Sequence, residues 1–450
     1  MDIKFFGAIQ EVTGSNILVS TNNGTRFMID CGVFQGKRII EEKNYEPFPY
    51  DASTIKAVFL THAHLDHCGR LPKLYHAGFR GKIYTTPATQ DLTIMSLNDS
   101  VDIIEEEALD HGRLPYYNRQ DVQNLIGLFE PIEYDKKIEF LPGMECCLRE
   151  AGHILGSASV EIWVDGEKAV FSGDLGNNPV PILRAPATID EADYVVIEST
   201  YGHANHEDSS SRKKFLKDAV DYIVENRGIL MIPSFAIQRT QEILYELDVL
   251  IEDGQIPDNI PIFVDSPLAI EATEIFSKYP NYYNESARRI VNSGEDFLHF
   301  KNLKFTPKVE ESKAINFVDP PKIIIAGSGM ITAGRITHHI KRYISDPRNY
   351  LLIVGYQVEG TMGRRLHDGA KEIEIFHEKH IVRAKVEIAT SFSAHADQKQ
   401  LIRWLSSIKG VKKVYLNHGE KEKMEILSEA IRQQLKLSTE IPQIPTVQNV

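Results

Sequence analysis

The chain has 450 residues, 42% hydrophobic and 25% charged, ordinary values for a globular protein of two or three domains. No apolar run approaches the ~20 residues that a membrane span needs. A formal net charge of −13 argues against a broad nucleic-acid-coating surface, though not against a narrow basic cleft in an acidic body. Met1-Asp-Ile-Lys-Phe-Phe-Gly7 begins directly in a strand-like pattern, so no signal peptide is expected. Cys31, Cys68, Cys146 and Cys147 form no spaced framework, so reduced thiols and a cytoplasmic location are expected. Cys68 adjoins the histidine-rich segment described next, but reads as a packing residue.

In chain order, apolar strand-like runs end in chemistry-bearing residues. Arg26-Phe-Met-Ile-Asp30 ends in an acid. Ile55-Lys-Ala-Val-Phe-Leu60 runs into Thr61-His-Ala-His-Leu-Asp-His67, where four of seven residues are good metal ligands. Residues two apart in a strand share a face, and a tight loop can turn all four donors inward. Imidazoles with one carboxylate suit zinc better than magnesium or calcium. The donors are too many for one tetrahedral ion, so the segment predicts a two-metal site; the bland alternative is a polar loop rich in histidine. His153 lies between glycines in Glu150-Ala-Gly-His-Ile-Leu-Gly-Ser157, and Asp174 lies between glycines in Ser172-Gly-Asp-Leu-Gly176. Tyr194-Val-Val-Ile-Glu198 ends in a further acid. These endings predict side chains gathered on one rim, at the carboxyl ends of strands.

From about residue 205 the pattern changes. Helix-like stretches near 212–226, 237–253 and 267–279 alternate with buried runs at 229–233, 260–264, 322–326 and 350–354, which predicts a parallel α/β sheet. Gly327-Ser-Gly-Met-Ile-Thr-Ala-Gly-Arg335 follows one of these strands and opens a helix. It is neither a Walker loop nor a dinucleotide fingerprint. Its Ser328 and Gly329, with Arg335 and Arg239, are candidate RNA-backbone contacts; a plain tight turn and two solvated cations are the alternatives. Metal-type residues resume at His395 and at His418, which ends Val411-Lys-Lys-Val-Tyr-Leu-Asn-His418. One domain interrupted by another accounts for the order: 1–203 and 381–450 for the first, 204–380 for the insert.

On these residues the chain resembles the metallo-β-lactamase superfamily, whose signature is matched by Asp30, His62, His64, Asp66, His67, His153 and Asp174. Within it the chain resembles the β-CASP ribonucleases, with further matches at Glu198, His395 and His418, and in the insert at Pro233-Ser-Phe-Ala-Ile-Gln-Arg239, Asp265-Ser-Pro-Leu-Ala269 and Gly327-Ser-Gly-Met330. The chain also resembles the prokaryotic relatives of the pre-mRNA 3′-end cleavage endonuclease subunit. The resemblance implies an αββα metallo-β-lactamase sandwich interrupted by a parallel α/β β-CASP domain. It implies two Zn2+ ions per chain, with His62, His64 and His153 on one, Asp66, His67 and His418 on the other, and Asp174 shared. Asp30 would orient a ligand histidine, and Asp66, Glu198 and His395 would form the catalytic group.

The implied reaction is hydrolysis of single-stranded RNA, mainly endonucleolytic, by a hydroxide shared between the zinc ions, with His395 as general acid held by Glu198. A 5′-to-3′ exonuclease activity is compatible with it. Histidine rather than valine at 418 favours RNA over DNA within the family. Membrane contact is not expected, and a homodimer is left open. Two other classes stand beside this reading: a small-molecule (thio)ester hydrolase of the same fold, disfavoured by the insert and the Glu198/His395 pair, and a non-catalytic RNA-processing subunit, disfavoured by the intact donor set.

Overall fold

The computed structural model describes residues 1–36, 38–206, 211–355, 357 and 360–443. The chain separates into two compact units. The first comprises Met1–Asn178, Arg184–Asn205 and the chain from His395; the second comprises Pro179–Leu183 and His206–Ala394.

In the first unit two sheets lie face to face. One has six strands in the order Asp2–Phe5, Ile17–Ser20, Arg26–Ile29, Ile55–Phe59, Lys82–Thr85, Phe129–Pro131, antiparallel at its start and parallel from Arg26–Ile29 onward. The other has seven, in the order Thr439–Glu440, Lys413–Asn417, Tyr194–Glu198, Glu167–Phe171, Ala158–Val164, Met144–Glu150, Ile138–Leu141. Side chains alternate across each strand, which explains the layering. Phe27, Ile29, Ala57 and Phe59 meet Leu148, Val160, Ile162, Phe171 and Val196 between the sheets. Met28, Val58 and Leu60 face outward, under apolar residues of helices Leu71–His76, Pro87–Asp110 and Arg119–Ile126. Val170, Val195, Ile197, Val414 and Leu416 face outward on the second sheet, under Gln398–Ser406 and Lys421–Leu435. Strands covered on both faces read as continuous apolar runs, as these do.

The parallel pairings place the functional segments. Arg26–Ile29 runs parallel to Ile55–Phe59, so Asp30 and the loop from Leu60 leave the sheet at the same end. Glu167–Phe171, Tyr194–Glu198 and Lys413–Asn417 are also mutually parallel, so Asp174, Glu198 and His418 follow the carboxyl ends of three adjacent strands.

The second unit holds a fully parallel six-stranded sheet, ordered Leu303–Phe305, Ile262–Asp265, Lys322–Ala326, Ile229–Pro233, Tyr350–Ile353, Lys385–Ile388. An antiparallel ribbon pairs Glu372–Ile375 with Glu378–Ile381. The boundary expected at 380 falls inside this unit, because Lys385–Ile388 pairs with Tyr350–Ile353. The insert extends to Ala394 and also takes in Pro179–Leu183. Among the described residues, no helix is long and apolar enough to cross a membrane.

Candidate metal centre

The loop after Ile55–Phe59 turns at once into a short helix, Leu65–Cys68, which carries Asp66 and His67 away from His62 and His64. The heptapeptide therefore divides its donors between two clusters. In the first, His64 Nδ1 lies 3.1 Å from His62 Nε2 and 3.2 Å from His153 Nε2. In the second, His418 Nε2 lies 3.2 Å from both His67 Nε2 and Asp66 Oδ2. Asp174 stands between them. Its Oδ2 is 3.6 and 3.7 Å from Nε2 of His62 and His153, and its Oδ1 is 3.4 Å from His67 Nε2.

Close backbone approach explains the glycines around His153 and Asp174. A Cβ on Gly176 would fall 1.8 Å from the Gly152 carbonyl oxygen, and Gly173 adopts φ +57° with its Cβ position 2.8 Å from Thr61 Cβ.

Hydrogen bonds set which nitrogen His62, His67 and His418 present. Asp30 Oδ2 is 2.7 Å from His67 Nδ1, so that nitrogen donates and Nε2 faces the cluster. Thr61 donates its hydroxyl to Asp30 Oδ2 at 3.0 Å and therefore accepts from His62 Nδ1, also at 3.0 Å. Thr200 repeats this arrangement: its hydroxyl donates to the His418 carbonyl at 3.2 Å and lies 3.3 Å from His418 Nδ1. Neither threonine was singled out from sequence. Hydroxyls are too common in loops to signal this role until their partners are known.

The electrostatics suit a cation. Burial holds His62 well below the ordinary histidine range and His64 down to about 4, leaving neutral imidazoles with free lone pairs. Burial opposes charge on His67 as well, but Asp174, Asp30 and Asp66 outweigh it and raise its pKa well above the usual value. Asp174 Oδ1 is buried without a hydrogen-bond donor among the described residues. Such a group costs free energy unless something meets its lone pairs. Opposed imidazole nitrogens, an orphaned carboxylate oxygen and an excess of acid together fit a metal pair. Cys68 does not join them: its thiol faces the Ala63 carbonyl at 3.5 Å, and burial raises its pKa well above the usual thiol range.

Beside this cluster, His395 Nδ1 lies 3.2 Å from Glu198 Oε1 and 3.8 Å from Asp174 Oδ2. Glu198 is fully buried and accepts from the amides of Leu175 at 2.7 Å and Thr200 at 3.3 Å. Burial works against a charge on His395, but Glu198, supported by Asp174 and Asp66, carries the imidazole up to about 9. Its side chain keeps 22% exposure, enough to meet a substrate.

In its sequence this chain matches three families. Residues 6–204 match the Anti-Pycsar protein Apyc1 family, 240–366 the Beta-Casp domain, and 379–442 the Zn-dependent metallo-hydrolase RNA specificity domain. Ribonuclease TTHA0252 of Thermus thermophilus is 37% identical over 96% of this chain and 96% of its own length. An RNase J-like protein of Methanocaldococcus jannaschii is 34% identical over 98% and 97%. The chain belongs to the β-CASP ribonuclease family of the metallo-β-lactamase superfamily. It is a metal-dependent hydrolase with the β-CASP domain inserted in the metallo-β-lactamase fold. Transcription termination factor FttA of Methanosarcina mazei is 32% identical over 97% of this chain and 70% of its own. A protein of unknown function from Enterococcus faecalis shares the fold, with a TM-score of 0.55 at 12% identity over 99% of this chain and 98% of that one.

The β-CASP unit gives the expected RNA-contact residues a different setting. Arg335 donates to Asp265 at 2.8 Å and to the carbonyls of Thr306 and Pro307. Arg239 is buried in an ion pair with Glu242. Each guanidinium is thus engaged within its own unit, and the reading of the two as RNA contacts stands as a proposal. Ser328 stays at the surface, its hydroxyl 3.1 Å from that of Thr332, and Gly329 lies beneath the ring of Phe235.

Proposed function

We propose that the chain hydrolyses phosphodiester bonds of single-stranded RNA, mainly within the strand, using two zinc ions held by the two donor clusters. The reading is carried by two triads that share Asp174, with a Glu198-held histidine beside them. Relatives named as ribonucleases over nearly their whole length support it. Mixed imidazole and carboxylate donors favour zinc over magnesium or calcium. Bound there, zinc would supply an activated water near neutral pH and offset charge on the phosphoryl oxygens.

The protein's own groups account for the rest. Asp30 and Thr61 keep the ligand nitrogens aimed. Glu198, fixed by two backbone amides, accepts from His395 Nδ1 and leaves Nε2–H to protonate the departing ribose 3′-oxygen. The products would carry a 5′-phosphate and a 3′-hydroxyl. The cytoplasmic location expected from sequence belongs to the same reading, as does the homodimer that the sequence leaves open.

The test is a gel assay of the purified protein on labelled single-stranded RNA, the matched DNA and a circular RNA, with and without chelator. RNA and circular RNA should be cut, DNA spared, and chelation should stop the reaction. His395→Ala should slow cleavage by about 10²–10⁴-fold, the usual contribution of a positioned acid. Faster cleavage of DNA would sink the substrate assignment, and an intact circle beside a shortened linear RNA would reverse the endonucleolytic one.

A further inference from the structure

Phe235 follows the strand Ile229–Pro233, and its residue is 42% exposed between neighbours that are nearly all buried. Its ring rests on bare backbone. A Cβ on Gly329 would fall 2.7 Å from ring Cδ2, and one on Gly355 3.4 Å from Cε2. The floor is rigid: buried Gln357 donates to the carbonyls of both Gly329 and Gly355 at 3.0 Å. The backbone under the ring is tied as well, since the Phe235 carbonyl accepts from the Thr240 hydroxyl at 2.8 Å and the Ser234 amide donates to the Ala326 carbonyl at 3.0 Å. Three loops thus meet at the carboxyl ends of three adjacent parallel strands, Lys322–Ala326, Ile229–Pro233 and Tyr350–Ile353, the end of such a sheet where ligands bind. Among the described residues, no aromatic ring or cation stacks on Phe235.

A lone exposed phenylalanine is unremarkable by itself. This one is held at fixed height on a glycine floor, and much of it stays exposed. We infer that Phe235 is a stacking platform for one unpaired nucleobase of bound RNA, an inference that rests on the RNA reading above. A phenyl face offers no hydrogen-bond code, so it accepts any base. A base already stacked in a duplex cannot reach it, so the platform selects single strands.

The test is a double-mutant cycle read by fluorescence anisotropy, with RNA integrity checked on a gel. Wild type, Phe235→Ala and Phe235→Trp are titrated with a labelled single-stranded 12-mer and with versions made abasic at each position in turn. Phe235→Ala should weaken binding about tenfold, within the range of base–aromatic stacking, and Phe235→Trp should restore it. One abasic position should cost wild type a similar factor and cost Phe235→Ala nothing further. Gly329→Ala, which pushes a methyl into the ring, should reproduce the loss. Equal affinity of Phe235→Ala and wild type for intact RNA, or additive losses at every position, would overturn the platform. A wild type that cuts no RNA sinks the ribonuclease reading on the gel, while the cycle reads the ring by itself.

Discussion

Asp174 and Asp265 are both buried carboxylates at the carboxyl ends of parallel strands, one in each unit, and their surroundings differ completely. Asp265 is saturated. Oδ1 accepts from Thr306 at 2.9 Å and Arg335 at 2.8 Å, and Oδ2 accepts from Ser312 and pairs with His339, both at 2.7 Å. Burial works against its charge, yet these hydrogen bonds hold its pKa down to about 2. Among the described residues Asp174 Oδ1 has no hydrogen bond of good geometry, and the carboxylate is ringed by imidazole nitrogens that face one another. A carboxylate whose lone pairs are all met is framework. One whose neighbours also present lone pairs is suited to hold a cation, and the pair shows that burial alone does not distinguish them.

Substitution can break this comparison. The largest effect is expected for Asp174→Ala, which removes the group shared by both triads. Bound metal should fall below two equivalents, and cleavage should drop by about 10³-fold or more, since the metals stabilise the transition state by several kcal/mol. Elemental analysis and single-turnover rates check it, and unchanged metal content would dissolve the contrast. Asp265→Ala should instead leave metal content alone and destabilise the β-CASP unit by about 3–5 kcal/mol, because Arg335 and His339 lose their shared partner. Denaturant melts with parallel metal analysis separate the two outcomes.

Acid sharpens the same point. A depressed carboxyl pKa gives stability that is complete above the unfolded value of ~3.9 and lost as pH falls toward 2. The stability difference between wild type and Asp265→Asn should therefore shrink by roughly 2–3 kcal/mol between about pH 5 and pH 1. A difference that stays flat would remove the carboxylate from the framework. The smallest change is expected for Thr61→Val, which deletes only a hydroxyl. Metal affinity should weaken about 10–100-fold and return with Thr61→Ser. A competitive chelator titration measures it, with melting of the metal-free protein as the control for folding.

Much of the donor set was legible because metal chemistry uses few residue types at short spacings. His62, His64, Asp66 and His67 announce themselves in seven residues, and glycines flag His153 and Asp174. The partners that aim them were not legible, because Thr61 and Thr200 act through Asp30 and His418, which are distant in sequence. The acid partners of Arg239 and Arg335 were hidden for a related reason: a sequence shows charge without showing what neutralises it. The parallel sheet of the insert was readable in its buried runs. Its last strand was missed because Lys385–Ile388 lies at the sheet edge and alternates charged and apolar residues, as exposed edges do. The three-residue edge strand Leu303–Phe305 carries too little pattern to read.

The insertion also sets an order of assembly. His67 and His418 touch across 351 residues of chain. At about 5–20 residues per second of synthesis, a nascent chain waits roughly 20–70 s between them. His62, His64, His153 and Asp174 have all emerged long before, so the first triad can form while the second still lacks its histidine. Until the insert is made and the chain has come back to its first unit, the ribosome holds a protein whose first donor cluster is complete and whose second is not.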